Sequence, residues 1–359
     1  MNYSKIFVPL MPSLLHLAVV KQAIKLYNDF HIETLDEAFR RMTSEDNENY
    51  SELVGCNSAQ KKLLLIPPRL RKRVMEAIHG LKYGVWLWKE EHRHILELDD
   101  GECIFYWRCD GTIDTVKTAQ LLVLNSNIDM RKRFNLACMY GLTESIQTLW
   151  AEIEATGRTE NLETADYRAV RFWVRWLRGG SRVVPWTQPV REYLEIASTG
   201  IRFNSFLPSL RTEERVFFLY ALTFAKADDL RLCLYALSEE EEKKILRFSW
   251  SPMKLLRGYL QWPLHSLFLE TVVKLWKYID ELGYRDILDH LLSSGINREV
   301  FDFYEFFECF WKSSPNHLRE RVKELPHLKE KIELCLNEMR RKRKADFDEL
   351  RNYKLKKTS

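Results

Sequence analysis

A repeated outline of helix, tight turn and helix is the feature that most constrains this chain. Residues 137–150 place a small residue, Ala137, four before Gly141, an acid, Glu144, three after it, and the apolar Ile146, Leu149 and Trp150 beyond. Residues 221–234 repeat the outline with Ala221, then Ala225 in the glycine position, Asp228 in the acid position and Leu230 in place of Ile146. Residues 283–297 repeat the second half from Gly283 and add a tail, Leu291-Leu292-Ser293-Ser294-Gly295-Ile296-Asn297. Units of this kind bury their apolar faces only against neighbours, so the outline predicts an all-α chain of antiparallel helix pairs stacked as a solenoid. An irregular helical bundle that places small residues at its crossings is the alternative.

Composition agrees with a packed helical interior. The chain carries 11 Trp, 19 Phe and 15 Tyr, each a large apolar area, against only 13 Gly and 11 Pro for turns. At 46% hydrophobic residues it is too apolar for disorder. Helical spacing is read over 12–28, 34–42, 67–79, 112–124, 129–140, 143–156, 162–178, 188–198, 212–226, 228–236, 238–248, 252–260, 264–282, 285–293, 297–312, 315–324 and 327–350. Start signals support several of these. Thr34 with Glu37 and Ser238 with Glu241 fit the capping box, and Ser251-Pro252 and Ser314-Pro315 put a hydroxyl before a first-turn proline. Gly80, Gly157 and Gly179-Gly180 suit helix ends.

One segment departs from helical spacing. Residues 94–98 and 102–107, separated by Asp99-Asp100-Gly101, alternate as a short β-hairpin near 94–107. Three regions follow: an N-terminal helical region over 1–125, a helical-repeat body over 126–339, and a basic tail over 340–359. The tail holds nine Lys/Arg against three Asp/Glu, so it supplies the net charge of +4 and the body is nearly neutral.

The order Ala137-Cys138, Gly141-Leu142, Glu144, Ile146, Leu149-Trp150 resembles the core of the ankyrin repeat, and residues 283–297 resemble that core with its finger. Pro263-Leu264-His265 resembles the family's opening, and Ser13-Leu14-Leu15-His16 does so more loosely. The chain is also similar to divergent ankyrin-like helical proteins of expanded arachnid families, through Asp110-Gly111-Thr112-Ile113-Asp114 and Arg133-Phe134 with Leu136-Ala137-Cys138. Both resemblances imply an architecture and no biochemistry. The 84 residues between Ala137 and Ala221 are no multiple of the family's period of about 33.

The inventory of chemistry is thin. No dinucleotide or phosphate loop, zinc-protease helix or nucleophile elbow occurs, so no catalytic residue and no cofactor is expected. Residues 110–114 imitate the start of a calcium loop, but Thr115 stands where glycine is required and Leu121 where the bidentate glutamate belongs. A turn leading into a capped helix suits them better. His92, His94, Cys103 and Cys109 have the residue types of a zinc site without any familiar spacing, and Cys103 shares a face with Phe105 and Trp107, which favours a packed thiol. Seven scattered cysteines without a CxxC pair point to a reducing compartment. Pro9, Pro12 and His16 break the apolar N-terminus, which argues against a signal peptide, and no run reaches bilayer length.

Two charged features remain. Arg168, Arg171, Arg175 and Arg178 fall on one face of an otherwise apolar helix, either as its solvated stripe or as a contact for an anionic partner. Arg340-Arg341-Lys342-Arg343-Lys344 ends the last helix as a solvated cap, a nuclear-import address or a nucleic-acid contact. The expected protein is therefore a non-enzymatic protein–protein interaction scaffold, cytoplasmic and without a membrane partner. The alternative is a nuclear nucleic-acid-associated protein that uses the tail.

Overall fold

The computed structural model describes residues 5–43, 55–96, 104–157, 159, 162, 168–180, 202–248, 250–293 and 303–341. Every regular element among them is helical, so the protein is all-α. The chain divides into two units, Met1–Phe248 and Ser249–Ser359.

The first unit opens with α1 (Leu14–Asp29), which Ser13 caps by accepting the His16 N–H at 3.1 Å. Its face of Val19, Val20, Ala23 and Leu26 packs along α4 (Pro68–His92). Between them α2 (Ile32–Thr43) packs on α3 (Cys56–Leu64). Helix α4 starts with proline at its first position, where a missing N–H costs nothing, and runs to His92 with Gly80 buried inside it. Gly80 is therefore a packing residue and not the helix end that its composition suggests. Thr34 likewise lies buried within α2 and not at its start. Its expected capping partner Glu37 instead takes Arg40 and Arg41 at 2.6 and 3.0 Å.

The expected hairpin near 94–107 is not formed as read. Residues 93–95 turn off the end of α4, and 97–103 lie outside the described residues. Among the described residues the extended pairing is one residue pair, Trp107 with Ile113, across the Asp110-Gly111 turn. There Asp110 Oδ1 accepts the Thr112 N–H and hydroxyl, and Asp114 caps α5 (Thr115–Leu124) through the Lys117 N–H. These side chains are engaged as the turn and cap they resemble.

Helices α6 (Met130–Tyr140) and α7 (Thr143–Ala155) form the helix–turn–helix pair read over 137–150. Asp129 caps α6, and Gly141 ends it at φ 60°, where a Cβ would be strained. The Leu142 N–H closes the turn on the Ala137 carbonyl at 3.0 Å. Ala137, Ile146, Leu149 and Trp150 are all buried. Helix α8 (Arg168–Arg178) lies on α6 and α7, and one apolar core runs continuously from Trp88 to Trp176. That core crosses residues 125–126, so α5 and α6 belong to the same packed body.

The second repeat does not pair as a hairpin. The span 212–222 is broken into α9 (Thr212–Arg215), a 3₁₀ turn and α10 (Leu219–Leu222), and α11 (Ala227–Ala236) packs instead on the 3₁₀ turns at 203–209. Helix α12 (Glu239–Leu246) has the expected capping box of Ser238 and Glu241, and α10 lies against it.

In the second unit α13 (Trp250–Tyr259) packs on α14 (His265–Leu275) and α15 (Glu281–Leu292). Helix α16 (Phe303–Ser313) covers α14, and α17 (Asn316–Lys323) covers α15. Gly283 sits in the first turn of α15, capped by Asp280, and not at a tight turn between helices. A Cβ there would come within 2.8 Å of Met253 Sδ, so its bareness serves a close approach. The finger residues 294–297 lie outside the described residues. Ser251 is inside α13, and Ser314 turns back to donate to the Phe310 carbonyl, so neither caps as expected. A final helix, α18, spans 326–341 and buries Leu328, Ile332 and Met339.

Candidate functional site

Helix α8 carries the arginines singled out by spacing. Ala169, Val170, Phe172, Trp173, Val174 and Trp176 are buried, and the Trp173 indole N–H donates to the Cys138 carbonyl of α6 at 3.2 Å. Edge-to-face contact of Trp173 with Phe172 and Trp176 stiffens the same surface. The arginines fall on the remaining surface of the helix. Arg175 and Arg178 are exposed, and Arg171 is half-buried. The Arg168 side chain lies outside what is described. Arg178 lies 5.9 Å from the centre of the Trp150 ring, so its cationic plane rests partly on an aromatic face.

In the tail, Arg340 and Arg341 of α18 are exposed and donate to Asn337 and Glu338 of their own helix. Lys342, Arg343 and Lys344 lie outside the described residues.

Among the described residues His92, His94 and Cys109 form no metal-binding group. His92 is buried on α4 with both ring nitrogens engaged: Nδ1 meets the Trp88 carbonyl at 2.6 Å and Nε2 the Tyr140 hydroxyl at 2.9 Å. Cys109 is exposed on the 108–112 turn, and Cys103 lies outside the described residues. Among the described residues no three His, Cys, Asp or Glu side chains converge on a metal position.

A cluster that spacing did not reveal forms around Arg202, which is only 1% exposed. Its Nη1 donates to both oxygens of Asp228 at 2.9 Å, and its Nη2 donates to Glu91 of α4. Asp229 completes the group by accepting the backbone N–H groups of Phe203 and Asn204, both at 2.8 Å. These acids lie in the first turn of α11, where the helix dipole favours negative charge. Burial pushes the Asp229 carboxyl up to about 7, reinforced by Asp228 and opposed by Arg202 and the two amides. Burial likewise raises Glu91, with Arg202 opposing. The guanidinium thus binds α4 to α11 and seats the 203–205 turn between them. Asp228 was legible as the acid of the second repeat, but nothing near Arg202 in sequence announces its partners 26 and 111 residues away.

Comparison with family models, curated proteins and solved structures returns no match.

Proposed function

We propose that this chain is a non-enzymatic interaction scaffold of ankyrin-like, solenoid type that contacts an anionic segment of another protein through α8. The observation that carries this reading is the arginine stripe: Arg175 and Arg178 are exposed on a helix whose Ala169, Val170, Phe172, Trp173, Val174 and Trp176 are buried. The planar guanidinium fork suits bidentate pairing with a carboxylate. The α6–α7 hairpin supports the repeat-type architecture. The Arg202 cluster supports a non-enzymatic role, since its acids are engaged by the guanidinium and by backbone donors. The cytoplasm is the proposed compartment.

The test is the paired charge reversal Arg175→Glu and Arg178→Glu. Both side chains are exposed, so the expected change in stability is within about 0.5 kcal/mol. A protein captured reproducibly by the natural chain should be lost by the variant at an unchanged unfolding midpoint. Capture that is unaltered by the reversal contradicts the reading. The second reading, a nuclear nucleic-acid-associated protein, rests on exposed Arg340 and Arg341. Retention on heparin that disappears when residues 340–359 are deleted would favour it instead.

A further inference from the structure

We propose that the corner between α3 and α4 docks on the surface of an anionic bilayer. Residues 55–75 contain six Lys/Arg and no Asp or Glu. Five of the six, Lys61, Lys62, Arg69, Lys72 and Arg73, are exposed, and none of the five forms an ion pair among the described residues. The first acid beyond them is Glu76, half-buried and facing Lys72 and Arg73.

Between the two groups of cations stand Leu64 and Leu65, 53% and 81% exposed at the turn. They are not displaced core. Cys56, Ala59, Leu63, Ile66, Val74 and Met75 already fill the interior beneath. The sixth cation shapes the corner. Arg71 Nε donates to the carbonyls of Leu63 and Ile66 at 3.1 and 2.9 Å, and Nη2 donates to that of Leu64 at 3.3 Å. Those carbonyls belong to the end of α3, where backbone acceptors lack helical partners. The guanidinium therefore closes α3 and holds the leucine pair outward.

A rigid turn that projects two aliphatic side chains amid unpaired cations complements headgroup phosphates and carboxylates around an acyl boundary. The leucines decide among anionic partners. A nucleic acid offers them no apolar surface, and residues 55–82 supply no Phe, Tyr or Trp on which a base could stack. An acidic protein would need a pocket for a protruding pair, whereas a bilayer accepts it without one. No helix among the described residues is long and apolar enough to cross a membrane. The expectation of no membrane partner rested on that criterion, which a peripheral contact does not have to meet. The proposal is independent of α8.

The acids Glu45, Asp46, Glu48 and Glu52 lie just before this stretch and outside the described residues, so the test uses the full chain. It is flotation with vesicles of phosphatidylcholine alone and of phosphatidylcholine with phosphatidylserine. The natural chain should float with the anionic vesicles alone and release as salt is raised. Leu64→Ser with Leu65→Ser, at unchanged circular dichroism, should weaken flotation by about tenfold. Arg69→Glu with Lys72→Glu and Arg73→Glu should weaken it by more, at about fivefold or greater per cation. Failure of the natural chain to float overturns the proposal. So does flotation that the leucine variant leaves unchanged, because the basic tail alone would then account for it. Preferential binding to RNA or to an acidic peptide, indifferent to the leucines, assigns the corner to another polyanion and overturns the bilayer.

Discussion

His92 has no place for a second proton. A carbonyl only accepts, so the Nδ1–H donates to Trp88 and the bare Nε2 must accept from the Tyr140 hydroxyl. The ring is stacked on that of Trp88, centres 3.9 Å apart, and the Tyr140 ring lies near parallel to it at 5.8 Å between centres. Burial, reinforced by the Arg202 charge, pulls its pKa down to about 3 from 6.5. Between those values the unfolded chain takes up a proton that the folded chain refuses. Stability from this residue is therefore present above pH 6.5 and falls by up to about 1.4 kcal/mol per unit on acidification. Asp229 and Glu242, both raised to about 7 by burial, act with the opposite sign: their contribution is present below the ordinary carboxylate range and is lost as pH rises to about 7. From pH 6.5 to 5 His92 offsets about one of these two carboxylates. His92→Gln removes that offset, keeping a donor for Trp88 and an acceptor for Tyr140. The urea midpoint of that variant should rise more steeply on acidification across this window than that of the natural chain. A variant with the natural profile would show that His92 does not control the acid limb.

At the level of elements, the α6–α7 hairpin shows what spacing can reveal. A small residue, a glycine in the left-handed region and a following acid encode the turn within a few positions, so local sequence suffices. Gly141→Ala should destabilise the first unit by about 1 kcal/mol, measured by urea unfolding; no loss would mean that the turn is not stapling the pair. The same outline at 221–234 misleads because Asp228 and Asp229 of α11 bind Arg202 and the Phe203 and Asn204 N–H groups, which holds α11 on the 203–209 turns. Helix α3 escapes notice in the sequence because it is nine residues long and polar, starts at Gly55 without a side-chain cap, and buries only Cys56, Ala59 and Leu63. The arginine stripe of α8 was legible because the 3.6-residue period puts positions 171, 175 and 178 together by arithmetic. The Arg202 cluster was not, because its members meet only once α4, α6 and α11 have packed.

For the whole molecule, each unit holds its own aromatic core. In the first it runs from Trp88 to Trp176, and in the second Phe268, Trp276 and Tyr284 gather around Phe310. Such interiors fix the helices from which surface side chains project, and the proposed contact through α8 depends on that. The α8 contact is tested most directly by placing a photo-crosslinking residue at position 175 or 178 in the full chain and irradiating it in cells. The account predicts a covalent adduct with one reproducible protein, joined through a segment rich in Asp and Glu and absent when the crosslinker sits at the buried position 174. No adduct at 175 or 178, or adducts with a random population of proteins, would contradict it.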